Sequence, residues 1–177
     1  MSQVVASHPP RTILELFNML PEGTLAQAIN GKLYMSPAPS TSHQDIVMSI
    51  GFQLFSFIKK KKLGKAYMSP IDVFLNKKNA FQPDIIFISN KNSSIIQERG
   101  IFGAPDLIVE VLSPGSKSVD LGEKKQVYEQ SGIKEYWVID VTTRRATGFQ
   151  LAKGKFVEFA SEKDKINSPL LKHVFTF

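Results

Sequence analysis

The sequence predicts an α/β (α+β) fold: a mixed β-sheet flanked by helices, preceded by an N-terminal helix and a hairpin. Three observations carry this expectation. Ile46, Val47, Ile50, Leu54, Phe57 and Ile58 recur at helical spacing and predict a long helix over 42–62. The pattern then changes to apolar, β-branched runs at 66–75, 83–89 and 106–112, which read as strands. A second helix is predicted over 120–131, followed by a return to strand at 134–140. Elements in this order pack as layers on one mixed sheet.

Local signals justify each element in turn. Residues 1–11 are expected to form a loose tail and 12–177 a single domain. Thr12-Ile-Leu-Glu15 is a capping box that opens a short helix, and Pro21-Glu22-Gly23 closes it. Asn30-Gly31 between two apolar runs predicts a hairpin over 24–35, because both turn positions need positive φ. The Ser/Pro-rich segment before the long helix is a loop. The lysines at 59–62 suit the negative end of that helix's macrodipole, and Gly64 is the expected stop. Asp120 and Glu123 form a second capping box, with Gly132 just past the helix end. Lys153-Gly154 predicts a last hairpin joining 145–151 to 155–160.

Composition narrows the function. The 177 residues are 42% apolar and 21% charged, which is ordinary for a soluble globular protein. Without cysteine there is no disulfide framework, thiolate zinc site or cysteine nucleophile, which is compatible with a reducing cytoplasm. The chain opens without a basic-then-apolar leader and holds no apolar stretch long enough to span a bilayer. A cytoplasmic protein with no membrane partner is therefore expected. The net charge of +6 favours an anionic partner, nucleic acid being the commonest.

Few residues stand out chemically. Glu110 lies in the continuous apolar run Leu107–Leu112, the signature of a strand buried on both faces. A carboxylate there is costly unless it is paired or holds a metal; the alternative is a solvated strand face. Asp84 follows Pro83 at the start of another apolar strand, where it is either a turn residue or an acid facing a neighbouring strand. Asp106 repeats the Pro-Asp pattern, but four strand residues separate it from Glu110 by roughly 13 Å, so it reads as structural. Leu121, Lys124 and Tyr128 share one side of the second helix. Lys124 is thus placed near its apolar face, unless it snorkels to solvent. Asp120 reads as an N-cap, and His43 as a capping or surface residue with a possible site role. No zinc-ligand spacing, Gly-rich phosphate loop or nucleophile elbow is present.

Two long segments carry a resemblance. PDIIFIS, then PDLIVEVLSPGSKSVDLGEKKQVYEQSGIKEYWVID, with NGKLYMSPAPSTSHQ upstream, resemble the Uma2 family, also called DUF820, which is grouped with the restriction endonucleases. The match runs through Glu110-Val-Leu-Ser-Pro114, Asp120, Lys124, Tyr128, Gly132 and Glu135-Tyr136-Trp137. The resemblance implies a restriction-endonuclease-like PD-(D/E)xK core and metal-dependent hydrolysis of phosphodiester bonds. By position Asp84 and Glu110 become the metal-binding acids, with Mg²⁺ (or Mn²⁺) as cofactor. The motif's lysine would fall at Leu112, so Lys124 stands in from the following helix, making Asp84, Glu110 and Lys124 the implied catalytic set. His43, Gln27, Asp120 and Tyr128 are implied accessories. Two departures are evident: the family's glutamate is Gln27 here, and its Asp-Gly-Glu is Asn30-Gly31-Lys32. The implied partner is nucleic acid, DNA foremost, and cutting two strands would suit a homodimer; the alternative is a weakened nucleic-acid-binding or interaction module that keeps the fold.

Overall fold

The structure, a computed structural model, describes residues 9–113 and 117–177; residues 1–8 of the expected 1–11 tail and Pro114 of the central motif lie outside the described residues. The elements are mostly those anticipated. α1 (Ile13–Asn18) is capped by Thr12, whose hydroxyl accepts from Glu15 N. The Glu15 carboxylate returns a bond to Arg11 N rather than to the cap residue. β1 (Ala26–Ile29) and β2 (Lys32–Met35) pair across Asn30-Gly31, both at positive φ. α2 (Thr41–Lys61) starts at Ser40 and ends at Lys62, not Gly64: Lys62 takes the left-handed conformation at φ 55°.

The expected strand over 66–75 is two strands in different sheets. β3 (Gly64–Met68) pairs with β6 (Ile85–Ser89), whereas β4 (Val73–Asn76) pairs with β5 (Asn79–Phe81) and β8 (Gly100–Phe102). The break falls at Ser69-Pro70, where proline removes a ladder donor. β5, β8 and β7 (Ile96–Gln97) were not anticipated; they are only two or three residues long, too short to show a period. With β9 (Leu107–Leu112), β10 (Glu135–Asp140), β11 (Arg145–Ala152) and β12 (Lys155–Lys163), the strands form two six-stranded sheets rather than one. Their orders are β2-β1-β5-β4-β8-β7 and β12-β11-β10-β9-β6-β3. A separate hairpin, β13 (Lys165–Ser168) with β14 (His173–Thr176), completes the described chain.

The second helix runs as three pieces: α3 (Lys117–Val119), a π-helical turn (Asp120–Lys124) and α4 (Lys125–Gln130). It is the crossover between β9 and β10, which pair in parallel. The π turn holds more residues per turn than an α-helix, so the side-chain phase slips. Leu121, expected on the inner side with Lys124 and Tyr128, is 40% exposed, while the other two are buried. Asp120 does not cap the helix, because its preceding residues are already helical.

The sheet containing β9 is covered on both faces, and this is what positions the site. Leu107, Val109 and Val111 face α2, packing with Ile46, Ile50 and Leu54. Ile108 and Leu112 face the other way, packing with Val127 and Tyr128 of α4 and with Ile29 and Phe81 of the second sheet. Every residue of β9 is buried, so Glu110 is forced into the interior on the α4 side.

Candidate active site

Glu110 is 3% exposed and sits among apolar neighbours, a position that demands partners. It has two. Its Oε1 accepts from Lys124 Nζ at 2.8 Å and from the Tyr128 hydroxyl at 2.7 Å. Lys124, itself 2% exposed, also reaches Asp120 Oδ1 at 2.8 Å. The Tyr136 hydroxyl donates to the Asp120 carbonyl at 3.0 Å and fixes the π turn against β10. Two acids, one lysine and two tyrosines thus form one buried network across β9, the π turn, α4 and β10.

Asp84 lies one residue before β6. The β6–β9 ladder pairs Ile85 with Val109 and Ile86 with Ile108, so one further step sets Asp84 opposite Glu110. Instead of extending the ladder, Asp84 Oδ2 accepts from Val111 N at 2.7 Å. On the other side it meets His43 Nε2 at 3.2 Å, delivered by the first turn of α2. Both His43 and Asp84 were singled out from the sequence, but their ion pair is a tertiary fact joining helix to strand.

The electrostatics follow from burial and proximity. Desolvation raises the Glu110 pKa to about 8, with Asp120 and Asp84 adding to the rise and Lys124 opposing it. Burial works against the Lys124 charge, yet Glu110 and Asp120 prevail and hold its pKa above the ordinary lysine value. Burial also opposes a charged His43, but the hydrogen bond and charge of Asp84 raise its pKa overall. Tyr128, desolvated and beside Glu110, is held well above the usual phenol range and so remains a donor.

Gln27 alternates with Ala26 and Ala28 on β1 and shares its face with Ile29, which packs in the same cluster as Tyr128 and Leu112. Its Oε1 is buried without a hydrogen-bond partner among the described residues. Lys32, where the resemblance expects an acid, forms a 3.2 Å pair with Glu123 at the surface. Asp106 sits at the far end of β9, bound to Lys134 and to Ser89 N, and takes no part in the network.

Among the described residues no three His, Cys, Asp or Glu side chains gather into a ready metal centre. The donor chemistry nevertheless fits a hard cation. Mg²⁺ is usually held by one or two carboxylates, with water and phosphate completing its shell. Asp84 and Glu110 on neighbouring strands supply that number, and the orphaned Gln27 oxygen is a neutral donor of the same hard type.

Comparison with known proteins gives a consistent picture. A family model, Uma2, described as "Putative restriction endonuclease", matches residues 14–176. Among solved structures, a putative nuclease belonging to DUF820 from Anabaena variabilis superposes with a TM-score of 0.75. It is 19% identical and the match covers 92% of each chain, so the likeness establishes the fold, which is restriction-endonuclease-like. No curated protein matches the chain.

Proposed function

The chain belongs to the Uma2 family, and from that premise we propose that it is a divalent-metal-dependent endonuclease hydrolysing phosphodiester bonds of DNA. Asp84 and Glu110 hold Mg²⁺ or Mn²⁺, and Lys124 works beside them. The observation that carries the proposal is the lysine. Leu112, two residues after Glu110, is apolar and buried, yet an ammonium stands 2.8 Å from the Glu110 carboxylate, supplied by the next helix. A buried lysine costs too much to be there for packing alone unless its charge is matched, and here it is matched by two acids.

A divalent cation, when bound, supplies Lewis acidity that polarises a phosphate and acidifies water. The residues of the chain do the rest. Lys124 Nζ keeps its proton and offers positive charge where the pentavalent phosphate gathers negative charge. The Tyr128 hydroxyl fixes the Glu110 carboxylate, which would hold the cation together with Asp84. Val111 N and His43 Nε2 fix one oxygen of Asp84 in the same way. The buried walls exclude bulk water and strengthen each of these charges.

A second possibility, a binding module that keeps the fold, is favoured by Gln27, a neutral group where the family's acid is expected. Cleavage of supercoiled plasmid and of single-stranded DNA, with Mg²⁺, Mn²⁺ or EDTA, separates the two. Cleavage in Mg²⁺ or Mn²⁺ that stops in EDTA is expected. A folded protein that binds DNA equally with and without metal, and never cuts it, is the binding module. Cutting both strands of a duplex would call for two sites, which a homodimer supplies.

A further inference from the structure

The long helix α2 carries a second pattern that its core-facing residues do not explain. Met48, Phe52, Phe55, Lys59 and Lys62 follow at steps of four, three, four and three, which makes one stripe along the helix. The stripe is open: Phe52 is 72% exposed, Met48 57% and Phe55 51%. Lys59 Nζ lies over the Phe55 ring at 5.7 Å from its centroid. Beside the stripe runs β3, the edge strand of its sheet, with Met68 41% exposed. Helix and strand approach closely at Gly51, where a Cβ would meet the Met68 sulfur at 2.2 Å. The shallow groove between them is lined by Phe52, Phe55, Tyr67, Met68 and Ile85.

Along the chain the groove adjoins Asp84. Ile85 directly follows Asp84, and Ser69 N, next to Met68, donates to the Asp84 carbonyl at 3.0 Å. His43, at the start of α2, touches Asp84 itself. At the other end, about 24 Å along the helix axis, come Lys59, Lys60, Lys61 and Lys62, all exposed and with no ion pair among the described residues. Aromatic rings that begin beside a carboxylate site and end in free ammonium groups match one ligand class.

We propose that this stripe is a docking track for single-stranded DNA, with bases stacking on Phe52 and Phe55 and phosphates held by Lys59–Lys62. This rests on the nuclease reading and extends it to the strandedness of the substrate. Unpaired bases offer π-faces to open aromatic rings, whereas a duplex hides them. Charge selects against the other occupant, a second copy of the chain. Antiparallel pairing of two α2 helices would set these four lysines against a single exposed acid, Asp45.

The test is fluorescence anisotropy in EDTA with labelled single-stranded DNA, the same sequence as duplex, and the same sequence as RNA. Single-stranded DNA is expected to bind tighter than the other two. Phe52→Ala with Phe55→Ala should weaken that binding roughly tenfold or more and leave the duplex unaffected. A Lys59→Gln, Lys60→Gln, Lys61→Gln variant should flatten the salt dependence, since fewer counterions are released. Both variants change exposed side chains, and melting checks their folding. Equal binding of strand and duplex, preference for RNA, or wild-type affinity in the aromatic variant would overturn the track. So would a wild-type dimer, seen by sedimentation, that the aromatic variant dissociates. Because binding is read without metal, failure to cleave would sink the nuclease reading and leave the track standing. Cleavage of single strands at full rate by the aromatic variant would do the reverse.

Discussion

The functional character of the chain is concentrated in one ammonium between two buried carboxylates. Lys124→Ala leaves Glu110 and Asp120 without their cation. Uncompensated buried charge typically costs about 3–5 kcal/mol, to be read from denaturant unfolding. If the proposed chemistry holds, the cleavage rate should also fall on the order of 10²-fold. Leu112 shares a face of β9 with Glu110 and packs in the same cluster as Tyr128, so Leu112→Lys in the Lys124→Ala background should restore part of the rate. Recovery should be incomplete because Leu112 also fills the core. Full activity in Lys124→Ala would remove the lysine from the mechanism. A pH dependence follows as well. Glu110 and His43 both have raised pKa values, so each favours its protonated form in the folded state. For Glu110 the folding contribution is fully present below its unfolded value of 4.5 and is lost as pH rises through about 8. The contribution of His43 fades upward from its ordinary value of 6.5. Metal-free protein should therefore lose melting temperature across that interval. Glu110→Gln, which stays neutral, should lose less; parallel curves for the two proteins would contradict the assignment.

At the scale of elements, the π turn decides which side chains enter the interior. It brings Asp120 and Lys124 together at four-residue spacing and turns Leu121 outward. Gly122 sits inside it at a helical backbone, and a Cβ there would meet nothing within 4 Å. Gly122→Ala should therefore stabilise the protein by about 0.4–1 kcal/mol, through the entropy of the unfolded chain. A rise in the denaturation midpoint would show this, and a fall would mean that the turn needs glycine's freedom. Gly148 in β11 is the opposite case. A Cβ would lie 2.7 Å from the Trp137 ring and 2.8 Å from Phe159, both rigid aromatics. Gly148→Ala should cost about 1–3 kcal/mol by overpacking, measured the same way.

At the scale of the whole molecule, the candidate site is where three layers meet: α2 delivers His43, the central sheet delivers Asp84 and Glu110, and the crossover helix delivers Lys124. Closing acids from different elements on one another stores repulsion that a cation relieves. Mg²⁺ or Mn²⁺ should accordingly raise the melting temperature by mass action. Asp84→Asn and Glu110→Gln should each abolish the rise, and an unchanged metal response in both would take these two residues out of the metal site.

The apolar elements α2, β6 and β9 were legible because apolar residues recur over many positions, and the N-terminal helix and the two hairpins because a capping box, Asn30-Gly31 and Lys153-Gly154 mark them locally; all stand within a few residues of their expected bounds. The family was legible too, since Glu110, Lys124 and Tyr128 keep their spacing along the chain. The second sheet was not, because strands of two or three residues are defined by their partners rather than by any period of their own. The same holds inside the site. Sequence alone marked Glu110 as a charge in an apolar strand that needed a partner, and it marked Lys124 as a lysine near an apolar face. Only the tertiary structure decided that each is the other's partner, that Asp120 joins them instead of capping a helix, and that His43 meets Asp84. A chain's local pattern reports how each segment meets water, whereas the pairing of buried charges depends on which segments are brought face to face when the layers close.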